Sequence, residues 1–354
     1  MPTQDEIEDI EPTDVSSLGS LQPQQVGNVA RLRRTYGLTQ VYPDPMDKCG
    51  SKRAKIDIIV LHGLSADSRS TWDAWEDETD PGSRHVNWLK DPNMLPMVVP
   101  DARILTYDWN ANYDEDASND IFIGHADTLL NRIYINRHET DRLQRPIIFI
   151  ASCFGGLLLM QALLRATDPY TPRREQNAQI LGSTVGLVFL GTPFQGSWGT
   201  GYTAAKLRLL VALLSGHKYS PRLVEYLQGG CGNRSLLDEL GQRFSEMIRL
   251  KSLNFKIVCF YETKATNYGA MLKKLPSNWE QDKFVKSLID PNGWGVIVER
   301  HSACLPGEDA VGLDVRHNML HKHSNPEDDS FKQLASRIKE FANYADEIRL
   351  VNEE

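Results

Sequence analysis

Short apolar runs and longer amphipathic runs alternate along most of the chain. Apolar, β-branched runs of strand length predict strands, and they lie at residues 37–42, 56–61, 102–109, 185–190, 256–261 and, more briefly, 296–299. Apolar positions at helical spacing predict helices over residues 121–135 and from 331 to about 348. This alternation predicts an α/β fold with a mainly parallel central sheet flanked by helices.

A stretch near the middle of the chain, residues 146–164, joins a strand to a helix through a tight turn of small residues. Cys153 lies at the apex of the turn, and Gly155 and Gly156 follow it. This layout is typical of a nucleophile elbow, in which a strained turn lifts one side chain clear of the sheet. Sites in parallel sheets lie beyond the carboxyl ends of the strands, so the turns after the other strands are expected at the same edge.

Two regions depart from the alternation. Residues 1–28 are acidic and rich in Gln, Ser, Thr and Pro, without aromatic residues, which predicts a disordered tail. Residues 29–354 are predicted to form one domain. Within it, residues from about 197 to 250 are predicted to form a mostly helical insertion with an apolar face, which suits either a cap over a site or an ordinary packing layer.

Composition narrows the class of protein. The formal net charge of −8 argues against a nucleic-acid partner. The five cysteines are widely spaced and odd in number, which favours reduced thiols over a disulfide framework or a zinc site. The acidic N-terminus does not resemble a signal peptide, and no apolar run could span a bilayer. We expect a soluble, cytoplasmic protein without an integral membrane span; peripheral membrane association and a protein partner stay open.

Several short motifs follow the predicted strands. They are His62-Gly63-Leu64, Thr71-Trp72, Gly155-Gly156-Leu157, Phe189-Leu190-Gly191-Thr192-Pro193, Phe260-Tyr261-Glu262-Thr263 and His317. In order and spacing they resemble the α/β-hydrolase superfamily, in its lipase-like serine esterase branch. Within that branch they are similar to the SERAC1-like or PGAP1-like group, as found in N-terminal domains of fungal multidomain proteins. The resemblance covers about residues 37–341 and implies the α/β-hydrolase fold, with nucleophile, acid and histidine in that chain order.

The elbow departs from the pattern of this family at the nucleophile. The family reads Gly-His-Ser-x-Gly-Gly, whereas residues 151–156 read Ala-Ser-Cys-Phe-Gly-Gly. Ser152 precedes the apex by one residue and would point elsewhere. A catalytic cysteine attacks as the thiolate, so its pKa must fall from about 8.5 toward neutrality, and the N-terminus of the following helix favours an anion. The alternative is that Cys153 is an inert, buried thiol in a domain that has lost catalysis.

The resemblance also assigns partners to Cys153. His317 lies before the last helix and is the candidate base, with His301 as a second candidate. Glu262 follows the strand at residues 256–261 and would orient the imidazole, while Asp314 is the alternative acid. The oxyanion hole is expected from backbone N–H groups of Leu64 and Phe154.

His317 belongs to a histidine-rich segment that also contains His321 and His323. Carboxylates and thiolates at metal-binding spacing are absent there, so we expect no metal and no cofactor. The sequence predicts an acyl hydrolase or acyltransferase that uses Cys153, His317 and Glu262 on a small-molecule ester or thioester. The alternative function is a catalytically degenerate α/β-hydrolase domain that binds a ligand or a protein.

Overall fold

The computed structural model describes residues 36–64, 66–77, 80, 82–111, 122–140, 142–194, 236–250, 253–267 and 294–353. The tail predicted for residues 1–28 and most of the insertion predicted for 197–250 lie outside these residues.

Among the described residues, the main sheet has seven strands in the order β1-β5-β2-β6-β7-β8-β11. Only β1 is antiparallel to its neighbour, and the other five pairings are parallel. Two short antiparallel pairs, β3–β4 and β9–β10, lie outside this sheet. The strands are β1 (Gly37–Tyr42), β2 (Ile56–Leu61), β3 (Asp73–Trp75), β4 (His85–Asn87), β5 (Ala102–Asp108), β6 (Ile147–Ser152), β7 (Thr184–Leu190), β8 (Lys256–Glu262), β9 (Thr266–Asn267), β10 (Trp294–Gly295) and β11 (Asp309–Leu313).

The register brings the carboxyl ends of the central strands level with one another. Leu61 at the end of β2 pairs with Ala151, and Ser152 pairs with Leu190 at the end of β7. Leu190 in turn pairs with Phe260 of β8. The residues that follow β2, β6, β7 and β8 therefore emerge at one edge of the sheet, which is where sites in such sheets form.

Helices cover both faces of the sheet, because each strand buries apolar side chains alternately on the two sides. Helices α4 to α7 pack on one face, and α3 and α9 pack on the other. Within the described residues, no helix combines the length and apolar composition that a bilayer crossing requires. The helices are α1 (Lys48–Arg53), α2 (Ser68–Thr71), α3 (Leu95–Val98), α4 (Phe122–Glu139), α5 (Phe154–Thr167), α6 (Arg174–Ser183), α7 (Leu236–Ile248), α8 (Arg300–Ala303) and α9 (Asp329–Glu353).

Helix α5 is apolar on nearly every side, which is typical of a helix buried all round. It lies against β6 and is enclosed by α4, α6 and α7. Helix α7, the described part of the predicted insertion, presents Leu237, Leu240 and Phe244 to the core at helical spacing. The Phe244 ring lies 6.2 Å from that of Phe189, edge to face.

Within the described residues, the predicted strands of the main sheet and the helices near 121–135 and 331–348 are confirmed, and the strand predicted for residues 296–299 is wrong. These residues form a bend just before α8. Their apolar side chains pack against the core, in which Val298 is buried, and the Val298 N–H donates to Glu262 Oε1 at 2.8 Å. The strand that completes the sheet is β11, which the sequence pattern missed because its residues are mixed in polarity and include Gly312.

A buried ionic cluster holds the opposite, amino-terminal edge of the sheet. Asp57, near the start of β2, is fully buried and accepts hydrogen bonds from Arg103 of β5, Arg137 of α4 and Arg145 before β6. Arg137 also donates to two carbonyl oxygens, those of Leu143 and Arg145. Burial opposes ionisation of Asp57, but the three guanidinium groups hold its pKa below the usual range.

We predict that Asp57→Asn lowers the free energy of unfolding by about 3–5 kcal/mol, because it leaves three buried guanidinium groups without their anion. Urea denaturation at neutral pH measures the change. The matched control is Asp127→Asn, which breaks a half-exposed pair with Arg165 and should cost no more than about 1 kcal/mol. Equal effects of the two variants would contradict the role assigned to the buried cluster.

Candidate active site

Cys153 occupies a strained turn between β6 and α5. Its backbone has φ 54° and ψ −126°, and it is the one non-glycine residue with a positive φ among those the structure describes. Such a conformation is costly for a residue with a Cβ and persists only where the surroundings enforce it. Here β6 continues into the turn, because the Cys153 N–H donates to the Leu190 carbonyl at 2.8 Å. The predicted elbow geometry is therefore present, with the Cys153 side chain nearly buried.

Two glycines allow the elbow to touch the turn that follows β2. A Cβ atom on Gly155 would lie 2.5 Å from the carbonyl oxygen of His62, and one on Gly63 would lie 2.9 Å from the Cβ of Cys153. Both distances are too short for a Cβ atom, so neither position can hold a residue other than glycine without moving the two turns. The hypothetical Gly63 Cβ would also lie 3.2 Å from Cys153 Sγ, so the backbone of this turn lies directly against the sulfur.

His317 and Glu262 form a buried pair. His317 Nδ1 lies 2.9 Å from Glu262 Oε2, and Glu262 Oε1 accepts the N–H of Val298. Both side chains are almost fully buried. Glu262 is the last residue of β8, and His317 begins a short 3-10 turn (His317–Met319) after β11. Parallel pairing of β8 and β11 thus brings together two residues that are far apart in sequence.

The His317 ring contacts Glu262 and lies near Cys153. Burial disfavours the charged ring, but the Glu262 carboxylate and a hydrogen bond with Cys153 raise the pKa of His317 from its ordinary value of 6.5 to about 10. The ring is thus an imidazolium at neutral pH, between a carboxylate and a sulfur. Such an arrangement suits a nucleophile that reacts as a thiolate.

The two alternative candidates lie elsewhere. Asp314 is largely exposed and pairs with Lys264 at 3.0 Å, so it is not the carboxylate that contacts His317. His301 pairs with Glu299, with Nε2 and Oε2 separated by 3.3 Å. Of the acids and bases considered from the sequence, Glu262 and His317 are the two that meet.

The proposed oxyanion donors lie on either side of Cys153. Phe154 is the first residue of α5, and N–H groups in the first turn of a helix have no partner within the helix. Leu64 is buried in the turn whose Gly63 lies against Cys153. Both residues are therefore placed near Cys153, and their role as oxyanion donors stays a prediction.

The sequence did not reveal what holds that turn. His62 Nδ1 contacts the Gly63 carbonyl at 2.9 Å, and its other ring nitrogen lies 3.5 Å from Asp108 Oδ1. Trp109 Nε1 donates to the His62 carbonyl at 3.0 Å, and its ring stacks on the imidazole. Burial disfavours the Asp108 carboxylate, but contacts with His62 and Ser68 lower its pKa. The one available signal was that Asp108 and Trp109 end a predicted strand.

The histidine-rich segment divides into different roles. His321 Nδ1 contacts Ser152 Oγ at 3.2 Å, so Ser152 does point away from the position of the nucleophile. His323 is buried between the rings of Trp88 and Phe331, and burial lowers its pKa to about 4. Within the part of the chain that the structure describes, no group of three or more His, Cys, Asp or Glu residues is arranged to hold a metal ion.

Comparison of the sequence with known proteins finds similarity to SERAC1 proteins. No family model matches the chain. Protein SERAC1 from zebrafish (Danio rerio) is 25% identical over 302 residues, which cover 81% of this chain and 39% of that protein. Human SERAC1 is 24% identical over 236 residues, which cover 63% of this chain and 32% of that protein. The chain thus spans between about a third and two fifths of the length of the curated relatives it matches.

Solved structures with a similar arrangement include several enzymes. Esterase B from Lactobacillus rhamnosis is 13% identical with a TM-score of 0.42, covering 85% of this chain and 79% of that one. A lipase-esterase related protein from Clostridium acetobutylicum is 12% identical with a TM-score of 0.38, covering 87% and 100%. A thioesterase domain from the curacin biosynthetic pathway is 13% identical with a TM-score of 0.35, covering 82% and 92%.

The strand order, the elbow after β6 and the order of the motifs are those of one fold, in which the nucleophile precedes the acid and the histidine. From these features we conclude that the chain has the α/β-hydrolase fold, and in sequence it is similar to SERAC1 proteins.

Proposed function

We propose that this protein is an acyl hydrolase or acyltransferase that acts on an ester or thioester through Cys153, His317 and Glu262. The observation that carries the proposal is the buried His317–Glu262 pair beside a strained cysteine at the elbow. Fold alone does not define an activity, but a nucleophile, a base and an orienting acid in mutual contact form a working arrangement.

In the first step, the Cys153 thiolate attacks the carbonyl carbon of the substrate and a C–S bond forms. The backbone N–H groups of Leu64 and Phe154 stabilise the resulting oxyanion. The bond to the leaving alkoxide or thiolate then breaks, and the His317 imidazolium gives that group its proton. The product is a thioester between the acyl group and Cys153.

In the second step, water or another nucleophile attacks this thioester, and His317 takes its proton. Acylation removes the contribution of Cys153 that raises the pKa of His317, so more of the ring is neutral in the acyl-enzyme and able to accept a proton. Glu262 keeps the imidazole oriented throughout. The Cys153 thiolate leaves, the carboxylic acid or transferred acyl product forms, and the thiolate–imidazolium pair returns.

The sulfur nucleophile favours a particular class of substrate. A thiolate is a good leaving group, so the tetrahedral adduct of an unreactive amide expels it and returns to substrate. Thioesters and activated esters have leaving groups that compete with the thiolate. We therefore infer a small-molecule acyl thioester or activated ester as the substrate, with no cofactor in the reaction.

We expect a small thiol electrophile at neutral pH to label Cys153 at least about ten times faster than the exposed Cys49, because the imidazolium beside it favours the thiolate. His317→Ala should remove this difference, while His301→Ala, a matched control, should keep it. Peptide mapping by mass spectrometry gives both rates. Labelling of Cys153 no faster than that of Cys49 would favour the alternative of a degenerate binding domain.

A covalent intermediate is the second expectation. An aryl thioacetate should transfer one acetyl group to Cys153, and neutral hydroxylamine should release it, as for a thioester. His317→Asn should slow acetylation at least about 100-fold, because the leaving group then lacks its acid. Intact-mass spectrometry follows the reaction, and acetylation of the Cys153→Ala variant at the same rate would contradict the assignment.

The titration of His317 tests the assignment of the acid. In the wild type the ring should titrate near pH 10, and Glu262→Gln should lower its pKa, because the carboxylate that raises it is lost while burial still disfavours the charged ring. Asp314→Asn should leave the titration unchanged. Nitrogen-15 NMR of labelled histidine measures the pKa values, and a shift in Asp314→Asn instead would reassign the acid.

The raised pKa of His317 also makes the stability of the protein depend on pH. Because folding raises the pKa of His317, its stabilising contribution is complete below pH 6.5 and is lost as the pH rises through about 10. The difference in free energy of unfolding between wild type and Glu262→Gln should therefore narrow between these pH values.

A further inference from the structure

We propose that Lys322 is a positioning residue. It fixes the turn of residues 62–64, which we call the oxyanion turn, relative to His317. This inference rests on the proposed function. The contacts that carry it link the segment after His317 to the segment after Leu64, which are about 250 residues apart in sequence.

The ammonium group of Lys322 is fully used in contacts with main-chain oxygens. Lys322 Nζ donates to the carbonyls of Ser70, Thr71 and Asp73 at 3.0, 3.3 and 2.8 Å. An ammonium has three protons, and hydrogen bonds from a charged donor are stronger than neutral ones. The side chain is partly buried, so these bonds hold the carboxyl end of helix α2 and the start of β3.

The other end of α2 leads to the oxyanion turn. The Ser68 N–H donates to Asp108 Oδ1 at 2.7 Å, and the same oxygen lies 3.5 Å from His62 Nε2. His62 is followed directly by Gly63 and Leu64. Helix α2 therefore connects the two regions: its carboxyl end contacts Lys322, and its amino end contacts Asp108, which in turn contacts His62.

Lys322 is in turn connected to His317 by a compact turn. The Leu320 N–H donates to the His317 carbonyl at 3.2 Å, and the Lys322 N–H donates to the Met319 carbonyl at 3.2 Å. The His321 carbonyl accepts Trp88 Nε1 at 2.9 Å, which adds a second link between this segment and the segment that follows α2. A displacement of Lys322 would change the position of the oxyanion turn relative to the base.

This role predicts a separation between two reactions of the same sulfur. Alkylation of Cys153 develops no oxyanion, so it depends on His317 but not on the backbone donors. Acylation by a thioester depends on both, and small displacements of catalytic groups cost large factors in rate. A residue that acts only through the oxyanion turn should affect acylation alone.

The test compares Lys322→Met with Lys332→Met, a control that removes an exposed ion pair with Glu327. For Lys322→Met we expect acetylation by an aryl thioacetate to slow at least about tenfold, while alkylation of Cys153 stays within about threefold of wild type. Lys332→Met should change neither rate. Unchanged acetylation in Lys322→Met, or a parallel loss of both reactions, would overturn the inference.

Two further measurements keep the test decisive. If Lys322→Met does not fold, Lys322→Arg replaces it, because a planar guanidinium does not match three carbonyls grouped around one nitrogen, and the same separation of rates is expected. If the wild type is not acetylated at all, the proposed function fails. Hydrogen exchange of residues 62–73 then tests the role of Lys322 directly. Faster exchange in Lys322→Met than in Lys332→Met supports this role, and equal exchange overturns it.

Discussion

The backbone contact between the elbow and the turn after β2 is the constraint on which the site depends. Cys153 keeps an unfavourable φ because β6 is paired on both sides and α5 is enclosed by other helices. Gly63 and Gly155 let the two turns meet without a side chain between them. The sulfur, the proposed donors and His317 can then occupy one small volume, and a shift of either turn would separate them.

The two edges of the sheet have different physical tasks. At the amino-terminal edge, the Asp57 cluster joins strands β2 and β5, helix α4 and the entry to β6 through charged hydrogen bonds. At the carboxyl edge, the chain adopts a strained backbone and buries the His317–Glu262 pair near the Cys153 sulfur. Strain of this kind costs stability and persists because packing elsewhere in the domain outweighs it.

The site residues that sequence reasoning identified lie at or beyond the carboxyl ends of strands. Cys153 and Glu262 were found because β6 and β8 are clear apolar runs, and His317 because it lies between the last strand and the last helix. The prediction for segment 296–299 was wrong because Ile297 and Val298 pack against the apolar core and do not pair in the sheet. The contacts of Asp108 with His62 and of Lys322 with the end of α2 join residues 46 and about 250 positions apart, and such contacts leave no periodic pattern in one sequence.

The glycine contacts at the elbow also limit which substitutions the site can accept. At position 153 the surrounding backbone limits the bulk of the side chain more than its chemistry, because the sulfur lies against the main chain at Gly63. Replacement of the sulfur by an oxygen, as in Cys153→Ser, adds no bulk to this contact, whereas any side chain at position 63 or 155 would force the two turns apart.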